Sequence, residues 1–284
     1  MTAIALALFA AALFGAMSVT LRFALRGGIS PDLGALLTIA PATAVVLVYA
    51  VADGLHDVAA AWPFALAGLA APGASQILFT LAIRDAGPSR TSVLVGTAPL
   101  FSVAIALTAL GEPVVPALIV GAVLIVLGCL LLVGEQVRPE SFRLLGYAFA
   151  LGATVLFASR DNLVRHLAVD TDVPASLAAA ATLCAGTLVV AIFAAAKRPS
   201  NRLLLGDVGR FALAGLLLGL SYAAQFEAYY RGRVTVVSPF VATESLFGVL
   251  FSALLIRRAE LIGKSLVAGA LLIVAGGALI GAFR

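Results

Sequence analysis

Between Leu220 and Phe251 an otherwise apolar chain twice carries polar and ionisable groups inside runs long enough to cross a bilayer. Tyr222, Gln225, Glu227 and Tyr229 stand in the first run and Glu244 in the second, among Ala, Leu, Val and Phe. An acid at the centre of a transmembrane helix costs a few kcal/mol or more to insert, so it marks a functional or structural contact. Helical residues advance 100° each, which puts Tyr222, Gln225, Phe226 and Tyr229 on one face about 100° wide. Such a face can cup an apolar group while an amide and phenols orient a polar end. Helix packing and interfacial tyrosines are the alternative reading. On the next run Phe240, Glu244, Phe247 and Phe251 form a second stripe at helical spacing. A carboxyl there can exchange a proton, or can be held in a fixed ion pair. Upstream, Arg160, Asp161 and Asn162 interrupt another apolar run, and a permanent pair of Arg160 with an acid, near Asp161 or at Glu244, would be structural. Gln76, Thr80, Thr97 and Ser102 are the polar residues of the first half that would face the same space. Hydroxyls in apolar helices also bond their own helix carbonyls.

The elements that position these residues follow from composition. Of 284 residues, 62% are hydrophobic and 11% charged, against about a quarter charged in a soluble domain. The chain is a polytopic membrane protein. Apolar runs of about 20 residues fit helices and not the shorter strands of a barrel. Ten are predicted: 2–25, 33–51, 59–83, 89–110, 114–133, 144–168, 174–196, 208–230, 234–256 and 261–283. Pro41, Pro72, Pro99 and Pro239 lie inside these runs and should bend them. The first run is read as retained, since no Lys or Arg precedes it. Cys129 and Cys184 read as small buried packing residues. The net charge of +4 comes from basic residues scattered at helix ends, so no nucleic-acid surface is implied. Twelve Lys and Arg flank the loops after odd-numbered helices and four the others, which puts both termini outside the cytoplasm.

The chain also repeats itself. Ala65-Leu66-Ala67-Gly68-Leu69 returns as Ala212-Leu213-Ala214-Gly215-Leu216, Leu13-Phe14 and Arg22 return as Leu156-Phe157 and Arg165, and Glu112, Gly121 and Gly128 return as Glu260, Gly269 and Gly276. Two halves of five helices each must be inverted relative to one another, the plan of many secondary transporters. The fold class is therefore all-α integral membrane, ten helices in two inverted repeats. The first spans 1–134, a loop 135–143, and the second 144–284.

With Pro99, the apolar run to Leu110-Gly111-Glu112, and Gly121 and Gly128 after it, the chain resembles the EamA-type members of the drug/metabolite transporter superfamily. Within that superfamily it is most similar to the aromatic amino acid exporter branch, YddG and its relatives. The second copy departs from the pattern at Ser245 and Ala259-Glu260, which moves the expected bend of the ninth helix to Pro239. The resemblance implies a secondary exporter of amino acids or related small metabolites in the inner membrane, working by alternating access, with no cofactor; a monomer is compatible with this and the oligomeric state is left open. It also implies cytoplasmic termini, opposite to the charge count. Tyr222, Gln225, Phe226, Tyr229, Phe247, Gln76, Thr80 and Thr97 are then the candidate cargo contacts. Glu244, Arg160 and Asp161 are the candidate proton-coupling or ion-pair residues. Exchange of phosphorylated metabolites or nucleotide sugars, drug export and an intramembrane enzyme are the other readings. The first needs several basic cavity residues, and only Arg160 qualifies. A metal enzyme is poorly served by His56 and His166, far apart at run ends with no carboxylates at ligand spacing. Glu112 and Glu260 read as caps of the helices that follow.

Overall fold

The computed structural model describes residues 2–55, 57–109, 116–133, 142–169, 171–197, 205–232, 234–255 and 263–283. Regular structure among them is helical throughout: α1 (Ala3–Leu25), α2 (Pro31–Asp53), α3 (Trp62–Gly68), α4 (Ser75–Ala86), α5 (Pro88–Val95), α6 (Ala98–Ala109), α7 (Pro116–Val133), α8 (Leu145–Val169), α9 (Ala175–Lys197), α10 (Leu205–Arg231), α11 (Val234–Val241), α12 (Glu244–Leu255) and α13 (Lys264–Phe283). These follow the ten predicted runs. Six runs, including the whole of 58–86, are long and apolar enough to cross a membrane. The glutamates read as caps, Glu112 and Glu260, lie outside the described residues, as does the side chain of Cys129. Cys184 is exposed on the outer face of α9, not buried as expected.

Three runs are broken where the sequence pattern indicates single helices. In the third, Leu69–Ala74 forms a wide π-type turn in which Ala71 is extended (φ −140°, ψ 115°). A residue before proline avoids the helical region, and Pro72 brings no N–H to the ladder. The fourth run breaks at Gly96-Thr97, and Pro99 falls in the first turn of α6, where proline is tolerated. The ninth breaks at Ala242-Thr243, not at Pro239, which lies within α11. Both of these breaks use the same device. Thr97 Oγ1 donates to Leu94 O at 2.6 Å, and Thr243 Oγ1 donates to Phe240 O at 2.5 Å. Each hydroxyl bonds the carbonyl that its own backbone N–H also reaches, at 3.0 Å for Thr97 and 3.2 Å for Thr243, where the first half-helix ends.

The inverted halves are interleaved. α1 runs antiparallel along α10: a Cβ on Gly232 would lie 2.7 Å from Ala3, and one on Gly27 would lie 2.6 Å from the Arg210 guanidinium. By the same relation α8 lies along α4, with its start beside Ala86. α10 also packs on α2, seated by Gly215 over Thr38 O, just as α9 packs on the third run, where Gly68 faces Thr182 O. The two groups meet where α2 crosses α9. There Thr43 and Thr187, equivalent residues of the two halves, bring their hydroxyls to 2.6 Å. α7 and α13 form a glycine-seated pair: a Cβ on Gly276 would approach Gly121 O to 2.5 Å and one on Gly128 would approach Gly269 O to 2.7 Å.

Candidate functional site

α1, α8 and α10 and the breaks of the fourth and ninth runs converge on one cavity. Ala10 and Phe14 line it from α1, Phe157, Arg160 and Asp161 from α8, and Ser221, Gln225 and Tyr229 from α10. Val95 and Ala98 flank one break; Ser238, Val241, Ala242 and Glu244 flank the other. About 30 Å³ of it is open to a water-sized sphere, room for a water or two.

The polar wall is a connected network. Asp161 lies 2.7 Å from Arg160 Nε and accepts from Tyr229 OH at 2.9 Å and from Gln225 Nε2 at 3.4 Å. Gln225 Oε1 in turn accepts from Arg160 Nη2 at 3.4 Å. The Arg160 guanidinium carbon sits 4.7 Å from the Tyr222 ring centre, 5.7 Å from Phe226 and 5.9 Å from Phe157, an aromatic cage that stabilises its charge. Arg160 is thus paired with Asp161 and not with Glu244. Glu244 opens α12, where the helix dipole favours negative charge. It is 4% exposed, and among the described residues its Oε1 has no hydrogen-bond partner. Arg160 Nη1 and Tyr222 OH are likewise buried without one, and Arg160 Nε and Asp161 Oδ1 meet only as an ion pair.

Of the sequence candidates, the structure brings Arg160, Asp161, Gln225, Tyr229 and Glu244 together on the cavity wall. Tyr222 and Phe226 stack on each other behind Arg160. The others lie outside the lining, except Ser102, whose side chain is outside the described residues. Gln76 and Thr80 are buried on another face of α4, with Thr80 Oγ1 bonded to Gln76 O at 2.8 Å, and Thr97 serves the helix break. Phe247 packs on Phe251 and against Gly15 of α1. Register explains the difference. The repeat makes Leu78 and Ala82, not Gln76 and Thr80, the equivalents of Gln225 and Tyr229; likewise Met17 matches Arg160 and Ala98 matches Glu244. All the ionisable lining therefore comes from the second half. The sequence reading missed Phe14 and Phe157 as lining residues, although they anchor the repeat; their rings meet edge to face at 5.9 Å. As equivalent residues that touch, Phe14 and Phe157 lie near the axis that relates the halves, and the recurrence of Leu-Phe in both copies is the available signal.

A family model described as EamA-like transporter family matches residues 1–134 and 144–282. The chain belongs to that family. EamA-like transporters are part of the drug/metabolite transporter superfamily, so this is a multi-pass membrane transporter with a small-molecule cargo. The fold of this EamA-like chain is similar to a solved crystal structure over 98% of its length and 95% of that structure's chain, at 21% identity and a TM-score of 0.69. A search of curated proteins returns no match.

Proposed function

We propose that this EamA-like transporter is a secondary exporter of amino acids or similarly small amphipathic metabolites in the inner membrane. Its repeats, 1–134 and 144–284, interleave into two groups of helices that expose the cavity to each side in turn, with Glu244 as the proton-coupling group. The observation that carries the reading is the unpartnered Glu244 Oε1, buried in the same cavity as Arg160 and Tyr229. A buried acid without a cation has to be met by a proton or by a positive group on the cargo. An amino acid offers both charges: its ammonium suits Glu244, and its carboxylate suits the unpartnered Nη1 of Arg160. Phe14 and Phe157 supply an apolar wall for the side chain. Phosphorylated cargo is disfavoured, because the lining holds two acids against one base.

The test is uptake of labelled aromatic, aliphatic and hydroxylated amino acids into proteoliposomes, with and without a pH gradient, for wild type and Glu244→Gln. The expected result is amino acid uptake whose gradient-driven component is lost in Glu244→Gln while counterflow persists. Equal uptake with and without a gradient in both proteins would make Glu244 structural and the protein a facilitator. Exchange of phosphorylated compounds alone would overturn the substrate class.

A further inference from the structure

We infer that Arg22 and Arg165 are a pair of latches, one at each end of the molecule, whose alternate release opens the cavity first to one side of the membrane and then to the other. The observation is a matched pair of contacts. Near the end of α1, Arg22 Nη1 donates to Ile83 O at 3.1 Å and to Arg84 O at 2.7 Å, in the last turn of α4. Near the end of α8, Arg165 Nη1 donates to Tyr229 O at 2.9 Å, in the last turn of α10. Arg22 and Arg165 hold equivalent places in the repeat, and so do the helix ends they seat on. Carbonyls in the last turn of a helix carry the negative end of its dipole, and although Ile83 O also accepts the Gly87 N–H at 3.1 Å, a guanidinium is the side chain they suit.

Packing gives these contacts their meaning. α1 is packed along α10, and α4 along α8, so each arginine reaches across from one interleaved group to the other instead of bonding within its own. The two lie at opposite ends, because α1 and α10 are antiparallel. Between the ends, the groups are joined where α2 packs antiparallel on α9, from the Thr43–Thr187 contact, close to the axis relating the halves, out to Ser176 Oγ on Asp53 Oδ2 at the end where Arg165 sits. Two bodies joined at a central crossing and tied at both ends enclose a cavity. Releasing one tie lets them part on that side while the other tie holds. Tyr229 puts its hydroxyl on Asp161 and its carbonyl under Arg165, so the second latch adjoins the cavity directly. Arg22 stands two turns beyond Phe14, about 12 Å along α1.

The inference rests on transport by alternation and not on the identity of the cargo. Its test needs no substrate, so it can fail where amino acid uptake succeeds, and the reverse. In the full chain carrying Cys129→Ala and Cys184→Ala, Ser238→Cys places one thiol on the cavity wall. A membrane-impermeant maleimide is then applied to right-side-out and to inside-out vesicles. Arg22→Gln is expected to raise labelling at least about fivefold from one side only, and Arg165→Gln from the opposite side only. A rise from the same side in both variants, from both sides in either, or from neither side overturns the proposal. Should a Gln variant fail to insert, Arg22→Lys and Arg165→Lys decide on the same criterion, since an ammonium keeps the charge but loses the guanidinium's reach to the carbonyls.

Discussion

Arg160 and Asp161 are neighbours in sequence, and consecutive helical side chains leave the axis 100° apart, so their 2.7 Å contact requires both to turn into the cavity. What holds them is the surround: three rings around the guanidinium, and Tyr229 and Gln225 on the carboxylate. Removing one member of a buried pair strands the other, at a cost of about 3–5 kcal/mol, whereas replacing both by apolar groups is far milder. Arg160→Met should therefore sharply lower the thermal unfolding midpoint in detergent, and adding Asp161→Leu should recover most of the loss. A double variant no better than the single one would mean that Asp161 is satisfied without Arg160. The sequence placed Tyr229 between a cavity role and an interfacial one. Its 1% exposure and its bond to Asp161 settle where it sits, through a contact between helices that no local pattern encodes.

At the scale of elements, the breaks in the fourth and ninth runs create the site, because they bring Ala98 and Glu244 to the cavity at the starts of new helices. Proline marks the break in the first copy only. The element common to both is threonine, at Thr97 and Thr243, and a hydroxyl that bonds its own helix is a weak signal on its own. Glycines were more readable, since Gly121, Gly128, Gly269 and Gly276 recur at fixed spacing, and the structure stacks them into the α7–α13 pair. Gly276→Val should push these helices apart, costing about 1–3 kcal/mol by overpacking. The change would be read as a lower unfolding midpoint and less monodisperse protein. The same substitution at Gly209, where a Cβ meets nothing within 4 Å, should lack this effect and serves as the control.

For the whole molecule, the interleaving of halves decides what can move. α1 belongs by sequence to the first half but packs on α10 of the second, so the packed groups differ from the sequence repeats. The α2–α9 crossing lies at the centre of that arrangement. Thr43→Cys with Thr187→Cys, in the chain freed of Cys129 and Cys184, should cross-link readily, given hydroxyls 2.6 Å apart. Transport should survive, because a bond at a pivot leaves rotation about it free. Loss of transport on oxidation and its return on reduction would place sliding, not pivoting, at this crossing.

The sequence by itself determined the membrane class, the ten helical runs, the duplication and its inversion. Hydrophobic run length and an odd helix count per repeat are local and countable, and they leave few alternatives. It also singled out five ionisable or polar residues that share the cavity, because an acid, an arginine or an amide in an apolar run stands out against its neighbours. Tertiary structure alone decided that Arg160 pairs with Asp161 and leaves Glu244 without a partner, that the first half contributes apolar lining in place of Gln76, Thr80 and Thr97, and that the ninth run breaks at Thr243. The pairing and the lining depend on helix rotation and on contacts between segments more than sixty residues apart in the chain, such as Asp161 with Tyr229, whereas the break at Thr243 turns on a local hydroxyl bond too common to signal it. A shift of one residue in register turns a helical side chain by 100°, enough to move it from the cavity to a packed face.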